Sequence, residues 1–255
     1  MITAYHRPNA LEEALKLLSV PGTVPLGGGT LLSKPTADAI QAVDLQRLGL
    51  NTLVKSGNIL HIGATLTLQT LLESEHCSDA LKRALRLEAP LNIRNAATIA
   101  GTIVACDGRS PFVTALLAMD AKLEVVGTSA NKTETLTLGD VLPLREQLRG
   151  KLITKVSAPL NANLAFDYLA RTPSDSPIVC VALAGRSVGR TRMAVGGFGR
   201  CPTLAVDGNA SDDLAAAARN AFHEATDEWA SAEYRMDVAA TLALRCKTQI
   251  TTTRE

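Results

Sequence analysis

The chain has 255 residues, with 26 Lys and Arg against 25 Asp and Glu, a formal charge of +1, and 46% hydrophobic against 20% charged residues. Near-neutral charge and an aromatic content of 3% exclude the basic face and stacking platforms of a nucleic-acid binder, and no apolar run approaches the ~20 residues of a membrane-spanning helix. The length exceeds that of an ordinary single domain, so two or three compact units are expected.

Asn9, with Glu12 three residues on, opens an Asn version of a capping box, and Leu11, Leu15 and Leu18 then fall on one helical face. Thr23-Val24-Pro25-Leu26 reads as a strand entering a glycine loop, Gly27-Gly28-Gly29-Thr30, and residues 39–45 read as the next strand. Residues 53–55 and 59–62 flank Ser56-Gly57-Asn58, a hairpin turn. Thr67 caps a helix over 68–74, and Ser78 caps a second containing Leu81, Ala84, Leu85 and Leu87 that ends at Pro90. Asn92-Ile93-Arg94-Asn95-Ala96-Ala97 leads into a second glycine loop, Thr98-Ile99-Ala100-Gly101-Thr102. Pro111 suits the first turn of a helix running to about Ala121. Strand alternation recurs at 123–126, 135–138 and 152–156, and Pro159-Leu160-Asn161-Ala162-Asn163 marks a boundary. Beyond it, 178–183 and 192–195 form an antiparallel pair through Gly185-Arg186-Ser187-Val188-Gly189. Ser211 caps an alanine-rich helix, and a last helix carries Val238, Leu242 and Cys246 before a frayed polar tail from Lys247.

Each glycine loop follows an extended apolar stretch and presents backbone N–H groups with few side chains in the way, which suits a pyrophosphate. Taken singly, either is as well explained by a tight turn; the pair points to a dinucleotide cofactor. Lys34 is misplaced for a GxxxxGK[ST] phosphate loop, and no GxGxxG is present. No side chain stands out as acid, base or nucleophile. His6, His61, His76 and His223 are scattered, and His61 reads as a surface or edge-strand residue. Cys77, Cys106, Cys180, Cys201 and Cys246 lack metal-ligand spacing and read as small buried hydrophobes, with Cys106 a minor candidate for a thiol beside the cofactor. Asp107-Gly108-Arg109 reads as a solvated turn, and Arg94 either faces phosphate or orders the second loop through a salt bridge. The odd cysteine count and the lack of an apolar signal core at residues 1–8 fit the cytoplasm.

The segment from Asn92 to Gly101, followed by Ala115-Leu116-Leu117-Ala118-Met119-Asp120-Ala121, resembles the signature of the FAD-binding (medium) subunit of molybdenum hydroxylases, the xanthine dehydrogenase and carbon monoxide dehydrogenase relatives. Their flavin module shows an IRN.ATIGGN loop and then an ALLALDA helix. Pro8 with Leu11-Glu12-Glu13-Ala14 is similar to the family's opening helix, Leu26-Gly27-Gly28-Gly29-Thr30-Leu31-Leu32 to its AGGTDL loop, and Ile62-Gly63-Ala64 to its IGA element. Residues 166–171, Ser174-Asp175 and 178–182 resemble its R..SD.A.V.VA stretch, Ala194-Val195-Gly196-Gly197 its second strand, and Tyr234-Arg235 its closing segment.

The resemblance implies an α+β fold: a two-subdomain FAD-binding domain of the vanillyl-alcohol-oxidase-like (PCMH) type over residues 1–160, divided at about residue 50, and a C-terminal antiparallel sheet with a helical bundle over 161–255. It implies FAD, with Leu26, Gly27, Gly28, Gly29, Thr30, Leu31 and Leu32 on one side of the pyrophosphate and Thr98, Ile99, Ala100, Gly101 and Thr102 on the other. The hydroxyls of Thr30, Thr98 and Thr102 are then further donors, and Ile153 lies near the flavin. No catalytic side chain and no metal ligand is implied. The role implied is that of an oxidoreductase component, inactive toward substrate alone. It takes electrons from iron-sulfur clusters of a 2Fe-2S small subunit, reduced by a molybdopterin-binding large subunit, and passes them to NAD or another acceptor. The chain departs from the family pattern at Leu31 for Asp, Ala100 for Gly, Thr102 for Asn and Asp167 for Lys. Pro111 replaces an acidic ribityl contact, for which Asp107 and Ser110 are close enough in sequence to substitute. A methyl at position 100 is poorly tolerated if that residue needs positive φ. These departures leave an alternative open: a structural or interaction subunit of the same fold that has lost FAD.

Overall fold

The computed structural model describes residues 1–33, 38–127, 133–186, 189–209 and 213–252. In chain order the elements are β1 (Ile2–His6), α1 (Leu11–Leu18), β2 (Thr23–Leu26), β3 (Ile40–Asp44), β4 (Leu53–Ser56), β5 (Ile59–Gly63), α2 (Leu68–Glu73), α3 (Asp79–Glu88), α4 (Leu91–Arg94), α5 (Ile99–Ala105) and α6 (Pro111–Ala118). There follow β6 (Lys122–Gly127), β7 (Thr133–Thr137), α7 (Leu138–Val141), a 3-10 stretch at Leu142–Leu148, β8 (Lys151–Pro159), β9 (Ala162–Leu169), β10 (Val179–Arg186), β11 (Arg190–Gly196), β12 (Thr203–Asn209), α8 (Leu214–Asn220) and α9 (Ala232–Thr252). Two units result, each assembled from separate stretches: Met1–Leu71, Leu91–Ala105 and Lys122–Ser157 form the first, and Leu72–Pro90, Cys106–Ala121 and Ala158–Glu255 the second.

In the first unit β1, β3 and β2 make a small parallel sheet. Helix α1 lays Ala14, Leu15 and Leu18 into a cluster with Val43, Leu45, Val126 and Leu152, so the apolar stripe of the sequence is the buried one. The helix starts one residue later than the capping pattern suggests. Ala10 is the N-cap and supplies no side-chain bond, while the Asn9 amide donates to Glu13, not Glu12, at 3.2 Å. β1 has no counterpart among the predicted strands; its register comes from β3, nearly forty residues away (Ile2 opposite Ile40). The larger sheet has the order β4-β5-β8-β6-β7, which makes β5 an interior strand. His61 therefore does not sit on an edge; its Nδ1 lies 2.9 Å from Ser157 Oγ. The strand expected over 135–138 ends at Thr137, whose hydroxyl caps α7 by accepting the Asp140 amide.

The second unit is built on an antiparallel sheet, β12-β11-β10-β9. Val179, Val181 and Leu183 of β10 join a core with Leu214 and Ala218 of α8 and Ala239, Leu242 and Cys246 of α9, whereas Cys180, between them, lies against Thr114 of α6 at 3.6 Å. A strand covered on both faces reads as an unbroken apolar run, which is what residues 178–183 show. Helix α8 is capped by Asp213, which accepts the Ala215 and Ala216 amides; Ser211, with Ser187 and Val188 of the predicted hairpin turn, lies outside the described residues. Helix α9 continues to Thr252, so Lys247 stands inside it and not in a frayed tail. Helix α6 ends earlier than expected, at Ala118, and Asp120 takes φ +64. The Asp120 carboxylate lies 3.4–3.5 Å from Arg186, Arg190 and Arg192, a network that offsets the cost of a left-handed non-glycine residue.

Candidate functional site

The first glycine loop leaves β2 and runs directly over the segment that precedes α5. A Cβ built on Gly28 would fall 1.6 Å from the Ala96 carbonyl oxygen, and one on Gly27 2.6 Å from Thr98 Oγ1, so glycine here permits an approach of backbone to backbone that any side chain would prevent. The Ala96 segment is itself fixed. Ala96 and Ala97 amides donate to Ile93, Leu68 N donates to Ala97 O at 3.0 Å, Ile99 N to Leu66 O at 2.9 Å, and Ala100 N to Ala64 O at 3.1 Å. Ala64 N in turn reaches Thr154 O at 3.1 Å, next to Ile153, whose side chain is buried in β8. The Ile62-Gly63-Ala64 element thus works as a bracket between β8 and α5.

The two loops identified in the sequence differ in what they offer an anion. Residues 99–102 are not a loop but the first turn of α5, and their amides are spent: Ile99 and Ala100 as above, Gly101 on Thr98 Oγ1 at 3.3 Å, and Thr102 on Thr98 O at 2.9 Å. The Thr102 hydroxyl also donates to Thr98 O, at 2.9 Å. In the first loop, by contrast, the amides of Gly27, Gly28, Gly29, Thr30 and Leu31 donate to none of the described residues, and this stretch is only partly buried, with Leu31 53% exposed. Gly29 at φ +72 turns the chain so that Ser33 N can close on Gly29 O at 3.0 Å. Successive unpaired amides around a residue of positive φ form the kind of concavity that binds phosphate oxygens. Ala100 is not in the left-handed region; the one described non-glycine residue there is Asp120. The methyl at position 100 therefore carries no backbone strain.

Asp107 belongs to the second unit and is exposed; its carboxylate accepts the Arg109 amide at 2.8 Å. The tripeptide that begins there is a turn, as expected, but Asp107 alone is exposed, while Gly108 is buried and Arg109 half-buried. Gly108 N–H donates to Gly199 O, Gly108 O accepts from Gly197 N–H, and the Arg109 guanidinium donates to Ser176 and Pro177 carbonyls and stacks over Trp229 at 5.1 Å. Ser110 is committed as well: it is 4% exposed, caps α6, and donates to Glu88 at 2.8 Å. Arg94 hydrogen-bonds Gln69 at 2.9 Å. Asp167 is buried against Arg83 at 2.9 Å. Cys77, Cys106, Cys180 and Cys246 are buried and outside any disulfide, and burial pushes Cys180 up to about 12, which removes thiolate chemistry there at neutral pH. Among the described residues no cluster of His, Cys, Asp or Glu is arranged to hold a metal ion, and no helix is long and apolar enough to cross a membrane.

Glu88 carries no sequence signal. It closes α3, and its Oε2 accepts both Ser110 Oγ–H and the Phe112 amide. Burial raises its carboxyl from 4.5 to about 7 in spite of those two donors. The folded chain holds this proton more tightly than the unfolded one, so the linked stability is complete below about pH 4.5 and is lost as pH rises through about 7. A shift of this size corresponds to at most about 3 kcal/mol. Melting temperature is expected to fall by roughly 5 °C between about pH 5 and 7, and Glu88→Gln, which keeps the acceptor but cannot ionise, should flatten the profile. An unchanged slope in the variant would remove Glu88 from this role.

The family model described as FAD binding domain in molybdopterin dehydrogenase matches residues 1–161. The uncharacterized protein YgfM of Escherichia coli (strain K12) is 35% identical over 146 residues, 56% of this chain and 54% of that protein, so the chain spans about half the length of this relative. The glyceraldehyde dehydrogenase medium chain of Sulfolobus acidocaldarius is 24% identical over 271 residues, 95% of this chain and 96% of that one. Among solved structures, the Cu,Mo-CO dehydrogenase in its cyanide-inactivated form superposes with a TM-score of 0.82 at 22% identity, over 99% of this chain and 98% of that chain, a likeness of fold. With well over half of its length matched, the chain belongs to the family of FAD-binding domains of molybdopterin dehydrogenases.

Proposed function

We propose that this chain is the electron-transferring flavin subunit of a molybdenum-containing hydroxylase or dehydrogenase, and that it works between a 2Fe-2S small subunit and NAD or another acceptor, with substrate oxidised on a molybdopterin-binding large subunit. The observation that carries the reading is the run of amides at residues 27–31 that donate to none of the described residues, seated by Gly28 on a hydrogen-bonded segment. Bound FAD supplies the redox chemistry; the chain supplies binding and orientation. The amides of residues 27–31 and the Thr30 hydroxyl donate to the pyrophosphate, flanked by Leu26 and Leu32. Thr98, Ile99, Ala100, Gly101 and Thr102 form the wall behind them, and Ile153 would face the flavin. Membership of a multi-chain enzyme is supported by the medium-chain relative, and a division near residue 160 by the end of the family match at 161. The cytoplasm is the compartment this reading favours.

The competing scaffold reading, in which FAD has been lost, is disfavoured by the unpaired first-loop amides and by the unstrained Ala100. Titrating the purified full chain with FAD distinguishes them. Flavin bands that stay with the protein, and a rise in melting temperature equivalent to about 2.7 kcal/mol at a ligand concentration 100 times Kd, are expected. No retained absorbance and no thermal shift would establish the scaffold reading. Purification from native lysate should bring down chains carrying iron-sulfur and molybdopterin groups.

A further inference from the structure

The two stretches of the site meet at one side chain. Thr98 is 6% exposed. Its Oγ1 accepts the Gly101 amide, its carbonyl takes both the amide and the hydroxyl of Thr102, and its Oγ1, Cγ2 and Cβ lie 2.6, 3.3 and 3.5 Å from where a Cβ on Gly27 would be. One residue therefore ties down the first turn of α5 and forms the surface on which Gly27 rests. It is also bridged to Thr67 by backbone pairing, so it is anchored independently of the glycine loop. A buried hydroxyl already accepting a hydrogen bond, in contact with the backbone of the binding loop, is placed to set that loop's position.

We propose that Thr98 is the positioning residue of the pyrophosphate site, holding Gly27 and hence the amides of residues 27–31 at the spacing a diphosphate requires, so that recognition of the anion rests on the first loop and not on two equivalent halves. This rests on the reading of the site as an FAD site. The physical reason is geometric: amide donors act on a phosphate oxygen only when the N–H groups converge, and the direction of the loop amides depends on what lies beneath Gly27. Valine at this position keeps the shape but removes the acceptor of the Gly101 amide and sets a larger methyl group where Oγ1 touches Gly27. Serine keeps the acceptor.

The full chain and its Thr98→Val and Thr98→Ser variants are compared in three measurements: FAD affinity, the 31P resonances of bound FAD, and the amide chemical shifts of residues 27–31 without FAD. Thr98→Val is expected to bind FAD roughly tenfold more weakly, to shift the 31P resonances and to displace the amide chemical shifts of the FAD-free loop, with its melting temperature little changed; Thr98→Ser restores all three. Wild-type affinity in Thr98→Val, or weakened affinity with unchanged amide shifts in the FAD-free loop, overturns the proposal, the second outcome marking Thr98 as a direct ligand. If the wild type fails to bind FAD the functional reading falls, while the comparison of amide shifts still decides whether Thr98 positions the loop. Should Thr98→Val not fold, Gly27→Ala and the double variant Gly27→Ala/Thr98→Ala replace it. Displaced amide shifts at residues 27–31 in the single variant, reversed in the double, support the contact, and equal shifts in both overturn it.

Discussion

Gly28→Ala is expected to abolish FAD binding, with a loss of affinity greater than about 100-fold, and to destabilise the first unit by about 1–3 kcal/mol. The added Cβ would sit 1.6 Å from Ala96 O, 2.5 Å from Ala96 C and 3.2 Å from Ala97 N. All three are main-chain atoms, so no rotamer change relieves the overlap. The carbonyl cannot swing aside cheaply either, because its neighbours are tied to Ile93 and Leu68 by backbone hydrogen bonds. The loop must lift instead, carrying its amides away from a common focus. Backbone conformation is not the obstacle, since Gly28 is absent from the positive-φ residues. Gly57→Ala makes the instructive control: Gly57 has φ +56 but nothing within 4 Å of its added Cβ. It should cost about 1 kcal/mol in the β4–β5 hairpin and leave FAD affinity unchanged. FAD titration with parallel thermal melts reads both variants, and an FAD-competent Gly28→Ala would mean that the close approach to Ala96 is not part of the site.

The features legible in the sequence are those set by local physics. Ser78 caps α3 and Pro111 opens α6 as expected, Gly57 turns the β4–β5 hairpin, and the apolar run at 178–183 becomes a doubly covered strand. The misses share a cause, which is dependence on distant partners. β1 is a strand because β3 lies beside it. Residues 99–105 contain Gly101 and three isoleucine or valine positions, Ile99, Ile103 and Val104, that weaken helix propensity, yet they are helical because Ala64 and Leu66 satisfy the first amides. The same fact hid the asymmetry of the site. Both glycine segments carry similar motifs, and which of them keeps free N–H groups is decided by pairing with residues 64–68. Glu88 has no counterpart in the motif reading for a related reason: its two donors stand more than twenty residues on.

Arg235→Met is expected to destabilise the second unit by about 3–5 kcal/mol, the usual cost of breaking a buried charge network by removing one partner. Arg235 is fully buried, and its guanidinium donates to the carbonyls of Ile178, Ala225 and Ala230 and, at 2.7 Å, to the Asp227 carboxylate. It also lies 5.3 Å from the centre of the Phe198 ring. One planar side chain thus satisfies acceptors from the start of β10 and from the connection between α8 and α9; methionine would remove this donor from the Ile178 and Ala225 carbonyls and leave Asp227 with the Trp229 and Ala230 amides alone. Lysine is not a conservative exchange here, because a single ammonium cannot reach a fork of acceptors set by a guanidinium. Arg235→Lys should lose nearly as much stability as Arg235→Met. The acid side of the stability curve provides a second reading. Burial opposes ionisation of Asp227, but the Arg235 guanidinium and the amides of Trp229 and Ala230 together hold its carboxyl below the usual 3.8. A lowered folded-state value means stability that is present above the ordinary carboxylate range and is lost as pH falls through the folded value. Removing Arg235 takes away the largest of the groups that hold Asp227 ionised, so the variant should lose this part of its acid dependence as well as its stability at neutral pH. Denaturant titrations at about pH 7 and again below about pH 4 distinguish a network that acts as argued from a side chain that merely fills space. A uniform loss at both pH values would assign Arg235 to packing alone, because only a charge-coupled Asp227 makes the difference between wild type and variant shrink in acid.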